Sequence, residues 1–318
     1  MTANLRFAAG AGLLLAAVYG ATATVSNEYL FFAGYMALQF VVLATAWNIL
    51  GGYVGYVNFG SAAFFAVGAY TAVAFGKGLD APLPLQILAG AMAAGVLGLV
   101  VGLMTMRLRG IYFSIATIAM SIVIETAVIN WSYVGGARGL ALERPPSALL
   151  FDSYLKWLFF VMALLAVVAV ACARYVQGSW IGRGLRAIRD SEEAAECSGV
   201  PSMKLKLLAS AMSGALMGAA GAPFSMYLSF IEPNVAFSLN IAIYAMAMPI
   251  VGGMAHWSGP VIGAVLLGIL LQLVTVTLSA EAAVLSIGVL LLVVVVAAPD
   301  GLLGLWRKTR ARLAPEVS

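Results

Sequence analysis

Residues 155–173 read LKWLFFVMALLAVVAVACA, residues 186–200 read RAIRDSEEAAECSGV, and residues 205–228 read LKLLASAMSGALMGAAGAPFSMYL. Each outer run is apolar for about the 20 residues that an α-helix needs to cross a bilayer. The middle stretch, named here the charged segment, is rich in acidic residues, which are costly to bury without partners. Together the three stretches predict two membrane-spanning helices joined by a polar loop outside the membrane.

The remainder of the chain repeats the apolar part of this pattern. Its 318 residues are 63% hydrophobic and 9% charged, whereas soluble domains are about 25% charged. The apolar runs are continuous, which favours helices over a β-barrel, because barrel strands alternate apolar and polar residues. We therefore predict an all-α, polytopic membrane helix bundle of about ten transmembrane helices, forming a single domain over residues 1–318. The spans are expected near 6–24, 29–49, 57–75, 84–106, 111–130, 155–173, 205–228, 236–253, 260–279 and 282–298.

The third span is the least regular, and the first has an alternative interpretation. The third follows GGYVGYVNFG at 51–60, whose glycines weaken a helix. Broken backbone is tolerated at membrane depth where it is buried in protein or lines a wet cavity. The first follows the basic start MTANLR and also resembles a secretory signal. We expect it to be retained as a span, because further spans follow at once.

Lysine and arginine residues predict the orientation, because cytoplasmic loops carry an excess of both. The loop at 176–204 and the C-terminal tail are strongly basic, and an even number of predicted spans separates them. We therefore expect both of them, and the N-terminus, on the cytoplasmic side. The basic residues concerned are Arg174, Arg183, Arg186, Arg189, Lys204, Lys206, Arg307, Lys308, Arg310 and Arg312.

The sequence carries few groups that could perform chemistry. His256 is the single histidine, which excludes a histidine metal cluster, and the sequence has no G-x-x-x-x-G-K-[ST] phosphate-binding loop. Cys172 and Cys197 are expected to be free thiols. The basic residues lie at helix ends rather than along one face with aromatics, so nucleic acid is not an expected partner. We predict a transport subunit rather than an enzyme, and one that binds no cofactor itself.

The charged segment contains a predicted short helix. Asp190 followed by Glu193 resembles a capping box, which starts a helix. Gly199 offers a positive φ at which the helix can stop, and Pro201 prevents its continuation. The predicted helix over 190–199 is marginal alone at this length. It therefore needs a docking surface, either the base of the bundle itself or a partner.

The charged segment also carries the pattern E-A-A-x-x-x-G over 193–199, which resembles the EAA loop of bacterial ABC importer permeases. Its surroundings resemble the branched-chain amino acid ABC transporter permeases of the LivM type. The resemblance extends over residues 40–306. It is carried by WNILGGYVGYVNFGSAAFFAVGAY at 47–70, NW at 130–131, GGARGL at 135–140, VGGMAHWSGPVIGA at 251–264 and PDGLLGL at 299–305.

This resemblance implies an ABC importer permease fold in the bacterial inner membrane, passing a solute from a periplasmic binding protein to the cytoplasm. The implied partners are two cytoplasmic ABC ATPase subunits, which would use the ATP, a second homologous permease subunit and the periplasmic solute-binding protein. The outer loop at 135–146 is a candidate contact for that binding protein.

The helix at 190–199 would then be the coupling helix, which docks in a groove of the ATPase and transmits its motion. Its acidic and glycine residues would set its ends, and its two alanines would present a flat face. The two arginines before it would either donate salt bridges to the ATPase or anchor the segment to anionic lipid. The candidate coupling residues are Arg186, Arg189, Asp190, Glu193, Ala194, Ala195 and Gly199.

Polar residues inside the spans are candidates for the translocation pathway, since such side chains usually face the bundle or a cavity. They are Asn48, Asn58, Ser61 and Glu125. The alternative for each is hydrogen bonding between helices. Residues 58–61 read NFGS where the family usually has SLGH, which leaves the substrate open among branched-chain amino acids, urea, amides and small acids.

The competing hypothesis is a secondary ion-coupled transporter of small solutes. That class carries several ionisable groups inside its spans, whereas Glu125 is the one clear case in this sequence. The single carboxylate disfavours ion coupling, and the E-A-A-x-x-x-G pattern favours an ATP-driven importer.

Overall fold

The computed structural model describes residues 2–105, 107–108, 110–142, 151–277, 279–298 and 300–306, without the side chains of 2, 3, 280 and 281. The basic tail residues used for the orientation and positions 143–146 of the outer loop lie outside this description.

Ten helical stretches of the described chain are long and apolar enough to cross a membrane, which confirms the predicted polytopic helix bundle. The helices are α1 (Thr2–Thr24), α2 (Glu28–Leu50), α3 (Ser61–Leu79), α4 (Leu83–Thr105), α5 (Ile111–Ile129), α6 (Tyr154–Gly178), α7 (Trp180–Asp190), α8 (Glu192–Cys197), α9 (Ser202–Leu228), α10 (Pro233–Ala236), α11 (Leu239–Gly252), α12 (Ser258–Thr277) and α13 (Ala280–Ala297). The predicted eighth span at 236–253 is the pair α10 and α11, which together form one of the ten stretches.

Small residues bring α3, α4 and α9 into close contact at the centre of the bundle. A Cβ atom added at Gly68 would collide with the backbone of Gly218, and one added at Gly218 would collide with Ala94. The Ser210 hydroxyl on α9 donates to the Gly98 carbonyl on α4 at 2.8 Å. Close backbone approach is the usual basis of helix packing in lipid, so these small residues determine how the three helices fit together.

The connector between α2 and α3, residues 51–60, is not helical. The third span, predicted near 57–75, is α3, which begins four residues later at Ser61. Side chains of α5 satisfy the connector's backbone: the Ser114 hydroxyl donates to the Val57 carbonyl at 2.9 Å, and the Phe59 amide donates to the Thr117 hydroxyl at 3.2 Å. The irregular backbone of the connector is therefore covered by α5. In a membrane protein, such backbone must be buried in protein or line a wet cavity.

The charged segment forms parts of two helices rather than one. The prediction that a helix starts at Asp190 is wrong, because Asp190 is the last residue of α7. The backbone is extended at Ser191 (φ −161°), and the Ser191 hydroxyl accepts from the Ala194 amide at 3.4 Å, so Ser191 caps α8. Gly199 adopts a positive φ of 82° after the end of α8.

At the opposite end of the bundle, two short strands join the outer loops. β1 (Leu140–Ala141) pairs antiparallel with β2 (Phe230–Ile231). The Lys77 ammonium at the end of α3 donates to the Tyr133 carbonyl at 3.0 Å. These contacts fix the loop after α5 to the connections that follow α3 and α9.

Candidate functional site

The helix pair α7–α8 docks on the bundle's own base, at what we call the α7 end. Leu185 and Ile188 of α7 and Ala195 of α8 are buried in one apolar cluster with the connector and with Phe113 of α5. The predicted flat face of two alanines is therefore wrong, because Ala195 faces the bundle while Ala194 is exposed. On the outward surface of the pair, Ala194 lies among Asp190, Glu193, Glu196 and Cys197.

Arg189 attaches α7 to the connector. Its guanidinium donates to the Gly52 carbonyl at 3.0 Å. Its Cγ atom would lie 2.8 Å from a Cβ atom added at Gly55, a residue whose φ is +86°. Arg189 also lies 3.6 Å from a carboxylate oxygen of Asp190, but side-chain exposures of 37% and 74% make this ion pair weak. The bond to Gly52 adds a polar contact to the apolar packing of α7 on the bundle.

A largely buried ion pair attaches α8 to α9 and to the same connector. The Lys206 ammonium lies 2.6 Å from Glu192, and the two side chains are only 3% and 18% exposed. The Tyr56 hydroxyl donates to the other carboxylate oxygen of Glu192 at 3.0 Å. Burial raises the pKa of Tyr56, so the hydroxyl remains protonated at neutral pH and keeps this bond.

Sequence analysis missed Glu192 and Tyr56 and used Lys206 only for orientation. One signal was available. Lys206 lies one turn inside an apolar helix, where a cation needs a partner. The sequence offers several carboxylates within reach, and only the fold selects Glu192.

Three of the four pathway candidates lie together near the α7 end. The Asn58 carbonyl accepts from the Trp47 indole at 2.9 Å and from the Ser61 hydroxyl at 3.1 Å. The Asn58 side-chain oxygen accepts from the Gly60 amide at 2.7 Å. The side-chain amide of Asn48 donates to the Met254 carbonyl, after α11, at 3.2 Å. These bonds hold the connector and its neighbours in place, and all three candidates are buried.

Glu125 does not join this group. It lies near the far end of α5, partly exposed, and in electrostatic range of Tyr70 on α3. α5 itself is buried over only 17% of its span, compared with 67% for α9. One face of α5 therefore lies open on this chain.

The geometry links the charged segment to the bundle by two attachments to one connector. α7 contacts the connector at Gly52, and α8 contacts it at Tyr56. The same connector leads through Asn58 into α3. The connector therefore receives a polar contact from each of the two helices, beside the contacts of α8 with α9 and of α7 with α6.

The family match and the similar proteins point to the same family. The family described as "Branched-chain amino acid transport system / permease component" matches residues 29–296. The high-affinity branched-chain amino acid transport system permease protein LivM of Escherichia coli strain K12 is 26% identical, over 86% of this chain and 69% of its own. The probable branched-chain amino acid transport permease protein LivM of Methanocaldococcus jannaschii is 25% identical, over 70% and 75%. No solved structure matches the chain.

The ten apolar helical stretches define a multi-pass membrane protein. The family match covers most of the chain. This chain belongs to the permease components of branched-chain amino acid transport systems. Its role is therefore that of an ABC importer permease, and the competing hypothesis of a secondary ion-coupled transporter is not favoured.

Proposed function

We propose that this chain is the membrane-spanning subunit of an ATP-driven importer for branched-chain amino acids or similar small polar solutes such as urea, amides or small acids. It takes its solute from a periplasmic binding protein and releases it into the cytoplasm of a bacterium. Two ATPase subunits hydrolyse the ATP, and the chain itself binds no cofactor. The α7 end and both termini face the cytoplasm, as the distribution of lysine and arginine indicates.

The observation that carries the proposal is the double attachment of α7–α8 to residues 51–60. An ATPase that moves the outward surface of α8 pulls on Tyr56 through Glu192 and on Gly52 through Arg189. The connector has irregular backbone, so it changes shape more easily than a helix would. Its displacement shifts the start of α3 and opens or closes the bundle, as a rigid-body switch requires.

The open face of α5 supports a second permease subunit. A carboxylate inside a span is costly against lipid and normally faces protein or a water-filled cavity. Glu125 is only partly covered by this chain. We therefore place a homologous permease against α5, with Glu125 facing the cavity between the two subunits.

The first experiment is a gentle purification of the tagged chain from its native membrane, with partners identified by mass. We expect an ATPase, a second permease and a soluble binding protein. Measuring whether that binding protein binds leucine, urea or small acids then identifies the substrate. A chain that purifies alone, and whose uptake collapses with the ion gradient, would contradict the proposal.

A pair of substitutions tests the coupling role of α8. Glu193→Lys reverses a charge on the outward surface, and we expect it to weaken ATPase binding about tenfold or more. Gly199→Pro cannot adopt the φ of 82°, and we expect it to uncouple ATP hydrolysis from uptake. Asp152→Lys, an exposed charge reversal outside the charged segment, is the control. Normal transport by both variants would mean that α8 is not the coupling helix.

A further inference from the structure

Two neighbouring cavities lie at the α7 end, beside the least covered helix of the bundle. The first, named here the basic chamber, has a volume of about 760 Å³ and lies between the start of α1, the end of α6, α7 and the loop after α11. The second, named the apolar groove, has a volume of about 670 Å³ and runs between α1, α2, α6 and α12. Phe7, Arg174 and Trp257 line both, so the two cavities adjoin one another.

The basic chamber is built around a positioned guanidinium. Arg174 donates to the Asn4 side chain at 3.1 Å, and its guanidinium carbon lies 4.6 Å from the centre of the Phe7 ring and 5.9 Å from that of Trp257. Arg186 is partly buried and donates to the Gln177 carbonyl at 3.4 Å. A guanidinium held in this way presents donors in the planar geometry that suits a phosphate.

The charge of the lining has one sign. Arg174 and Arg186 line the basic chamber with His256, and Arg6 lines the apolar groove. The described residues that line the two cavities include no aspartate or glutamate. Such a chamber attracts an anion, and its aromatic and basic side chains are those found at the level of lipid headgroups.

The apolar groove continues from the chamber along the spans. Its walls are side chains such as Leu14, Leu38, Val41, Val170 and Val265. Gly10 of α1 leaves room there, since nothing lies within 4 Å of a Cβ atom added at that position. Beyond Arg6, Arg174 and Trp257 the groove is lined by apolar side chains, which offer water no partners, so this part is filled by hydrocarbon rather than by water.

We propose that the basic chamber and the apolar groove together bind one anionic glycerophospholipid, with its phosphate at Arg174 and Arg186 and an acyl chain along α1. The observation that selects a lipid over a soluble anion is that an apolar groove adjoins the basic chamber and shares three of its lining residues. Arg186 belongs to α7, so the bound headgroup also supports the helix that leads into α8. Arg189, which donates to Gly52, does not line either cavity. The two arginines that sequence analysis treated as a pair therefore have different roles.

The test is lipid binding by the delipidated, full-length protein, followed by native mass spectrometry. The probes are phosphatidylglycerol, phosphatidylcholine with the same acyl chains, and inorganic phosphate. We expect saturable binding of one phosphatidylglycerol, at least about tenfold tighter than phosphatidylcholine, because two arginines contribute about fivefold each. Equal binding of both lipids, or displacement of phosphatidylglycerol by millimolar phosphate, would overturn the proposal.

Two matched pairs of variants test the two halves of the site. Arg186→Gln is expected to weaken phosphatidylglycerol binding about fivefold, whereas Arg183→Gln, an exposed arginine of α7 outside the chamber, is expected to leave it unchanged. Gly10→Leu fills the groove and is expected to weaken binding of both lipids. Gly12→Leu has the same open surroundings on α1 but lies outside the groove.

The comparison between variants decides the outcome without reference to transport. Arg174→Gln is avoided as the main variant because Arg174 also holds Asn4, Phe7 and Trp257 together. If Arg186→Gln and Gly10→Leu bind phosphatidylglycerol as tightly as their controls do, the lipid is only annular and the site does not exist.

Discussion

At the scale of single residues, the most consequential contact is the ion pair between Glu192 and Lys206. Burying two charges costs several kcal/mol of desolvation for each ion, which the pair recovers only with good geometry and further hydrogen bonds. Tyr56 supplies one such bond and an aromatic ring beside the ammonium. The pair is therefore best understood as a means of fixing where α8 sits rather than as a large source of stability.

Removing one partner of this ion pair should strongly destabilise the protein. We expect Lys206→Met to lower the free energy of unfolding by about 3–5 kcal/mol, because it leaves the Glu192 carboxylate buried without its counter-ion. Thermal unfolding in detergent measures the change. Lys204→Met, an exposed lysine of the same turn, should have little effect.

The double variant Lys206→Met with Glu192→Gln provides the internal check. It removes both charges, so we expect it to recover part of the lost stability. A double variant that is as unstable as the sum of the two single variants would mean that the charges do not interact.

At the scale of secondary-structure elements, the break between α7 and α8 decides the geometry of the charged segment. The buried positions Leu185 and Ile188 keep α7 helical up to Asp190. Ser191 then provides the cap that the sequence pattern had assigned to Asp190. Both residues are good caps in isolation, and the difference arises because the apolar face of α7 must reach the bundle.

This assignment predicts different effects for two neighbouring substitutions. Ser191→Ala should cost about 1 kcal/mol in the local stability of α8, because the Ala194 amide loses its acceptor. Asp190→Ala should lower the local stability of α8 much less, because Asp190 does not cap that helix. Amide hydrogen exchange at Ala194 measures the effect of both substitutions. Faster exchange in the Asp190 variant alone would mean that Asp190, and not Ser191, caps α8.

At the scale of the whole molecule, the distribution of covered and open surfaces indicates where neighbours lie. α9 is the most covered of the ten spans and α1 the least, at 67% and 6%. α5 is also open, and unlike α1 it carries a carboxylate within its span. Under the proposals above, the two open helices face different surroundings, with lipid along α1 and a second permease subunit along α5.

Cross-linking distinguishes these surroundings. In a chain with Cys172 and Cys197 replaced by serine, we expect Ile122→Cys on the exposed face of α5 to form cross-links to a second permease subunit in membranes. Leu13→Cys on α1, which is 73% exposed, should label with lipid-soluble reagents instead. Equal cross-linking at both positions would contradict a permease interface along α5.

The spans could be predicted from the sequence because a bilayer imposes a one-dimensional requirement, namely an apolar run of sufficient length. The charged segment was located by its acidic residues, which are costly to bury. The start of α3 could not be predicted as closely, because the connector's irregular backbone depends on hydroxyl groups of α5 that approach it only in the folded bundle.

The sequence by itself determined the class of this protein, its ten spans and the position of the segment that lies outside them, since composition, spacing and family pattern are local properties of the chain. Only the tertiary structure decided which residues meet. Tyr56 lies 136 positions from Glu192, Lys206 lies 14 positions from it, and Arg189 lies 137 positions from Gly52. Such pairs are selected by the packing of whole helices, because a polar side chain bonds whichever partner the bundle brings within hydrogen-bonding distance.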